Sequence, residues 1–243
     1  GARSSGKARL MEAVQAVFEG DDRPIRSRLE GMGLDPSLVD RLKQIKFVEA
    51  AYTANGNSDK ETRADRQSRE AAVAATTDVD MLVLVVDGRR GLQHADSAFA
   101  KAWDGFFLQR PDREPPPALV VVANVDRPEF GPSWAPPYDW TAGQGAREAA
   151  VRALFESLRA SLPPTFTEFA AAGLPEQSPF GVVEHVLPAF AVQLQRAERT
   201  ALLRRLHSAS QRSKLGRVVG QMREQGRNVW SHIKNRRKST GKS

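Results

Sequence analysis

The chain has 243 residues, 40% of them hydrophobic, enough to bury one sizeable core, either as a single α/β domain or as a domain with an appendage. It has no cysteine and only four histidines, which excludes disulfide frameworks and thiolate metal sites and leaves little material for a histidine-built centre. The net charge of +7 sits at the C-terminal end, where fourteen Lys and Arg from Arg196 onward face two acids, Glu198 and Glu224, so the remainder is mildly acidic.

In chain order, Lys7 to Phe18 places Leu10, Met11, Val14, Val17 and Phe18 at i, i+3, i+4 spacing, which predicts a helix with one apolar face. Pro24 to Met32 and Pro36 to Ile45 predict two short helices, the second with Asp35 as N-cap and Pro36 at its first position. Phe47 to Ala50 reads as a short strand, and the polar, aperiodic stretch Ala54 to Arg69 reads as a mobile loop. A helical segment follows over Ala71 to Thr76. Met81 to Asp87 and Ala118 to Ala123 are continuous apolar runs, the pattern of strands covered on both faces in a parallel sheet. Between them Asp96 to Leu108 has helical spacing, giving the strand, helix, strand order of a crossover unit. Further helices are expected at Gly145 to Leu162, Val182 to His207 and Gln211 to Ile233, with no tandem repeat or heptad array. No apolar run approaches the ~18 to 20 residues of a membrane span, and no signal-peptide layout opens the chain.

Two segments carry candidate chemistry. Gly1-Ala2-Arg3-Ser4-Ser5-Gly6-Lys7-Ala8 fits G-x-x-x-x-G-K and fails at the final Ser or Thr. In such a loop, backbone N–H groups surround phosphates, a helix N-terminus adds the positive end of its dipole, and Lys reaches the terminal phosphates. A ligand-free Gly/Ser-rich terminus fits the spacing equally well. The second segment, Val121-Val122-Ala123-Asn124-Val125-Asp126, puts a carboxylate just past a buried strand, where open parallel sheets bind ligands. A lone Asp there is also a common turn former. Arg89-Arg90, after the first strand, reads as a solvated edge.

Taken together these segments resemble a known family. Asp80 to Asp96, DMLVLVVDGRRGLQHAD, is similar to the "aDlvlLVvDar…D" strand and loop of Era-like bacterial P-loop GTPases of the TRAFAC class. Ala123 to Trp140, ANVDRPEFGPSWAPPYDW, resembles the "THIDLLSP…EWAPPYDW" block of one branch of that family. Gly181 to Leu187, GVVEHVL, and Ala197 to Leu206, AERTALLRRL, extend the resemblance over most of Phe47 to Trp230.

The resemblance implies a P-loop NTPase-like, mostly parallel sheet flanked by helices over residues 1–195, lacking the strand that feeds the loop, and a basic helical extension over 196–243. It implies a phosphate cradle at Gly1, Ser5, Gly6, Lys7 and Ala8, and guanine contacts at Asn124 and Asp126. Glu49 would stand where D-x-x-G has its Asp, as the one metal candidate. GTP or GDP is the implied ligand; Mg²⁺ is left open, because Ala8 lacks the ligating hydroxyl, Glu49 to Tyr52 depart from D-x-x-G, and no clear Ser-Ala-Lys loop precedes Gly181. The helical Pro24 to Ile45 segment lies where such a GTPase carries its first switch. Pro136 to Trp140, PPYDW, reads as a rigid turn whose aromatics pack a loop onto the sheet.

The basic tail interleaves Arg196, Arg199, Arg204, Arg205, Arg212, Lys214, Arg217, Arg223 and Arg227 with Leu202, Leu203, Leu206, Leu215, Val218, Val219 and Met222. Such a helix packs on its own domain, lies on an anionic membrane, or meets nucleic-acid phosphates. With Trp230 as the sole aromatic there, a base-stacking platform is the weakest of these. Three functions follow: a GTP-binding protein with weak or lost hydrolysis, a pseudo-GTPase scaffold for a membrane-associated partner, and, last, a basic nucleic-acid binder. The implied location is the cytoplasm, with the inner membrane surface as a peripheral station.

Overall fold

The computed structural model describes residues 6–52, 62–111, 113–126, 139–175 and 178–200. The chain divides into two compact units, Gly1–Arg199 and Thr200–Ser243. Gly1, Ser5, the 54–61 part of the expected loop, most of the PPYDW block and the tail beyond Thr200 lie outside the described residues.

The first unit is mixed α/β, an open three-stranded parallel sheet flanked by helices. Its elements run α1 (Lys7–Glu19), α2 (Arg23–Gly31), α3 (Leu38–Leu42), α4 (Arg63–Thr76), β1 (Leu82–Asp87), α5 (His94–Leu108), β2 (Ala118–Ala123), α6 (Ala146–Ser161) and β3 (Phe166–Ala172). A π-helical turn, Val182–Val186, then leads into α7 over 187–200. The strand order is β1-β2-β3, all parallel, with Leu82 opposite Ala118 and Asp87 opposite Ala123.

Parallel strands joined by helices must be covered on both faces. Leu84, Val86, Val120 and Val122 enter one core with Phe99, Trp103 and Phe107 of α5, Val73 of α4 and Phe155 of α6. Val85, Leu119, Val121 and Ala170 enter the other with Leu10 and Val14 of α1, Ile25 of α2, Leu42 of α3 and Phe190 of α7. Every residue of β2 is buried, which is why it reads as an uninterrupted apolar run.

The two apolar strands, their crossover helix and α1, α2 and α6 stand close to where the periodicity puts them. The differences have physical causes. Phe47 to Ala50 is in no ladder; Phe47 and Val48 are exposed there, at 37% and 74%. Arg63 to Arg69, read as loop because it is polar, forms the first half of α4. Thr62 Oγ1 accepts from the Asp65 amide at 3.1 Å, and Asp65 Oδ2 accepts from the Thr62 amide at 3.1 Å. That reciprocal cap starts the helix where side-chain polarity argues against one. The helix expected from Val182 opens instead with a π turn. β3 escapes sequence reading because Ala170-Ala171-Ala172 has weak strand preference; pairing with β2 overrides it.

Among the described residues Trp103 is the largest fully buried side chain. It meets Phe107 at 4.9 Å and Phe166 at 5.6 Å between ring centroids, and its indole N–H donates to the Thr76 carbonyl at 3.3 Å. Trp103→Ala is expected to lower unfolding free energy by about 3–5 kcal/mol, read from urea titration followed by circular dichroism.

Candidate functional site

At the carboxyl edge of the sheet, Asp87, Ala123 and Ala172 are the last strand residues, and the segments leaving them converge on the start of α1. Gly6, the N-cap of α1, has φ 89° and ψ 9°, the left-handed region that side chains disfavour. A Cβ built there would lie 3.0 Å from Ala123 Cβ and 3.4 Å from Asn124 Nδ2. Glycine is thus required twice, by conformation and by space. The Gly6 carbonyl accepts from the Leu10 amide at 2.9 Å, so helical bonding starts at once.

Lys7 follows directly. Its Nζ lies 3.5 Å from Glu49 Oε1, with the lysine side chain 13% exposed and the glutamate 54%. The Glu49 segment is tied down by Tyr52, buried and stacked on Phe99 with 4.9 Å between centroids, whose hydroxyl donates to Asp96 Oδ1. Burial, and then the Asp96 carboxylate, push the Tyr52 phenol far above its ordinary range. Ala8 lies in the first turn of α1 and offers no side-chain oxygen.

Past β2, Asn124 adopts φ 63° and donates from Nδ2 to Asp87 Oδ1 at 3.1 Å. Asp87, 5% exposed, is gripped by Arg89: Nε lies 3.0 and 3.1 Å from its two oxygens and Nη2 2.6 Å from Oδ2. The Arg89 amide adds a bond at 3.2 Å. Burial alone would raise the Asp87 pKa, but the bonds from Arg89 and Asn124 outweigh it and hold the carboxyl below its ordinary value. Arg89 is thus a bidentate partner of a buried acid, while it and Arg90 remain exposed as the sequence suggests. The signal for it was an Asp ending an apolar strand with Arg two residues on.

Asp126 Oδ1 accepts from the Leu174 amide at 2.9 Å, which links the ends of β2 and β3. Arg9 of α1 donates to the Leu174 carbonyl at 3.3 Å, and buried Arg147 donates to the Val125 carbonyl at 3.2 Å. On the far side of β3, Trp140 is 2% exposed and lies over His185 with 3.5 Å between ring centroids. Trp140 therefore does pack its loop inward. Gly181, at φ 78°, allows this approach, since a Cβ there would meet the Ala171 carbonyl at 2.8 Å and the indole at 3.1 Å.

Of the residues singled out from sequence, Gly6, Asn124 and Asp126 gather on this one edge, with Lys7 and Ala8 in the turn that follows Gly6 and Glu49 on Lys7. Sequence reading missed Asp87, Arg89 and Leu174 as their partners. The residues do not fit Mg²⁺: Ala8 is no ligand, Glu49 faces an ammonium, and among the described residues no cluster of three His, Cys, Asp or Glu could hold a metal ion. Comparison of the chain with protein-family models, with curated proteins and with solved structures finds no match in any of the three.

The depressed Asp87 pKa fixes a pH dependence. Asp87 binds its proton more weakly folded than unfolded, so its contribution is complete above the unfolded value of about 3.9 and is lost as pH falls through the lower folded value. Unfolding titrations from neutral pH into strong acid should show Asp87→Asn less stable than wild type at neutrality. That difference should shrink on acidification. A difference constant with pH would show that the carboxylate charge is not what Arg89 and Asn124 hold.

Proposed function

We propose that the chain is a guanine-nucleotide-binding domain of P-loop, GTPase-like build, without an effective hydrolytic apparatus of its own. The observation that carries this reading is the seating of Gly6, at the mouth of α1, directly against Ala123 and Asn124, at the edge where Asp126 also lies. Phosphate recognition and base recognition would meet there. Open parallel sheets bind ligands at their carboxyl edge, and a helix N-terminus that begins with glycine and then lysine is chemically suited to phosphate. In this reading the first-turn amides and Lys7 take the phosphates, and Asp126, oriented by the Leu174 amide, accepts from the guanine N–H groups, contacts that adenine cannot supply. The covering of both sheet faces by helices is consistent with the same build.

Hydrolysis is the part the residues do not support. The described residues offer no cluster of metal ligands, and Ala8 lacks the hydroxyl that would ligate Mg²⁺; losing such parts lowers phosphoryl-transfer rates by orders of magnitude. One observation favours the scaffold reading, in which the fold is kept and nucleotide is not: the Glu49 carboxylate already answers the Lys7 ammonium, as Arg89 answers Asp87. In these two pairs each charge already has an opposite partner within the chain. The membrane-surface and nucleic-acid readings rest on residues 201–243, outside the described residues.

Calorimetric titration of GTP, GDP and ATP tests the proposal. Guanine nucleotides alone should bind, Lys7→Ala should weaken them by about tenfold or more, and Asp126→Ala should erase the preference over ATP. Because Glu49 competes with phosphate for Lys7, Glu49→Gln should tighten binding by about two- to fivefold, the size of a partly exposed ion pair. Absence of binding at millimolar nucleotide would leave the scaffold reading standing.

A further inference from the structure

Two segments beyond the carboxyl edge of the sheet meet at Trp140 and His185. The first, residues 139–145, enters α6, whose Arg147 donates to the Val125 carbonyl at 3.2 Å. The second follows β3: the Leu174 amide donates to Asp126, Phe180 pairs back with Gly173, and Gly181 opens the π turn Val182–Val186. Both segments therefore bear on the surroundings of Asp126. They are joined by the stack of Trp140 on His185, with 3.5 Å between ring centroids and 34° between ring planes. The indole is buried, whereas the imidazole is half-buried and stays within reach of solvent protons.

Histidine changes charge between about pH 5 and 8. Neutral, His185 is one ring lying on another; protonated, it is a cation over an indole, the aromatic face that attracts cations most strongly. Asp139, next to Trp140, adds a second attraction. Its carboxyl is held below its ordinary value, first by the bonds from the Thr141 hydroxyl and the Ala142 amide and then, as a smaller cause, by the charge of His185. Such an effect is reciprocal, so the ionised Asp139 favours the protonated imidazole. Glu184, beside His185 on the turn, is a further acid. Charges on the surrounding elements have bonds of their own: Arg28 of α2 donates to the Glu184 carbonyl at 3.1 Å, Arg9 of α1 to the Leu174 carbonyl at 3.3 Å and Arg152 of α6 to the Trp140 carbonyl at 2.7 Å, while Glu168 of β3 meets Arg196 at 2.9 Å. Partial burial of the ring opposes its charge; the indole face and Asp139 favour it.

We propose that the Trp140–His185 stack is a proton-operated clasp, in which protonation of His185 tightens the 139–145 segment against the π turn and deprotonation loosens the two segments that support Asp126. The inference does not rest on nucleotide binding. Its sign follows from linkage. The folded chain holds the His185 proton more tightly than the unfolded chain, so the contribution of the clasp is complete below the unfolded midpoint of about 6.5 and is lost as pH rises through the higher folded one.

The test uses the 243-residue chain with ¹³C-labelled histidine, titrated by NMR, with His185→Gln identifying the His185 signal. Its midpoint should lie about half a unit or more above that of the same residue in the urea-unfolded chain. Asp139→Asn, a change at an exposed carboxyl, and Trp140→Leu should each bring the midpoint down. Hydrogen exchange across residues 139–145, corrected for the intrinsic effect of pH, should be about threefold or more slower near pH 6 than near pH 8, and equal at both in His185→Gln. A folded midpoint at or below the unfolded one overturns the proposal. So does a raised midpoint that both Asp139→Asn and Trp140→Leu leave in place, or a pH effect on exchange that survives in His185→Gln.

Discussion

The constraint on which the rest depends is the complete burial of β2. Six consecutive apolar residues paired on both sides and covered on both faces have no access to water, so every polar group of that strand must be answered within the sheet. This forces helices onto both faces, α1, α2, α3 and α7 on one and α4, α5 and α6 on the other. It also postpones all polar chemistry to the point where the strand ends. The first residues past Ala123 are accordingly the first that can carry function, and they do so at the edge where three strands stop together.

That edge is held by a small set of mutually dependent contacts. The β2 carbonyl at Ala123 accepts from Gly88, the Val125 amide donates to Ala172 at 3.3 Å, and Asp126 takes the Leu174 amide, so the three strand ends are stitched in sequence. Asn124 adopts a left-handed backbone while its side chain reaches Asp87, a conformation asparagine tolerates better than most residues. Gly6 closes against Ala123 and Asn124. Any side chain at Gly6 would press on Ala123 and Asn124, so the entry to α1 and the exit from β2 are one packing problem, not two neighbouring ones.

Much of this was legible in the sequence wherever a single physical signal dominates. Met81 to Asp87 and Ala118 to Ala123 announce buried parallel strands because burial on both faces leaves no polar position to confuse the pattern. Lys7 to Phe18 announces a helix by period. Legibility failed where tertiary pairing outweighs local preference. Ala170 to Ala172 is a strand because β2 offers it a ladder, and Arg63 to Arg69 is helical because Thr62 and Asp65 cap it. At the site, the positions of Gly6 and Asp126 could be anticipated from motif spacing. The hold of the Leu174 amide on Asp126 could not, since nothing in one strand's sequence names which loop will lie beside it.

The charges at this edge bear on how the fold and the proposed ligand relate. A buried carboxylate such as Asp87 is tolerable only when paired and hydrogen-bonded, and Arg89 and Asn124 supply both. Lys7 is nearly as buried, yet its carboxylate partner is half exposed and sits on a segment outside every ladder. The two pairs are therefore unequal: the Asp87 pair is locked by geometry and belongs to the scaffold, whereas the Lys7 pair is loose and screened by solvent. An anion arriving at α1 would compete with Glu49 for Lys7. The same looseness connects the site to the open edge of β1, because Lys7 and Glu49 line a groove beside that strand.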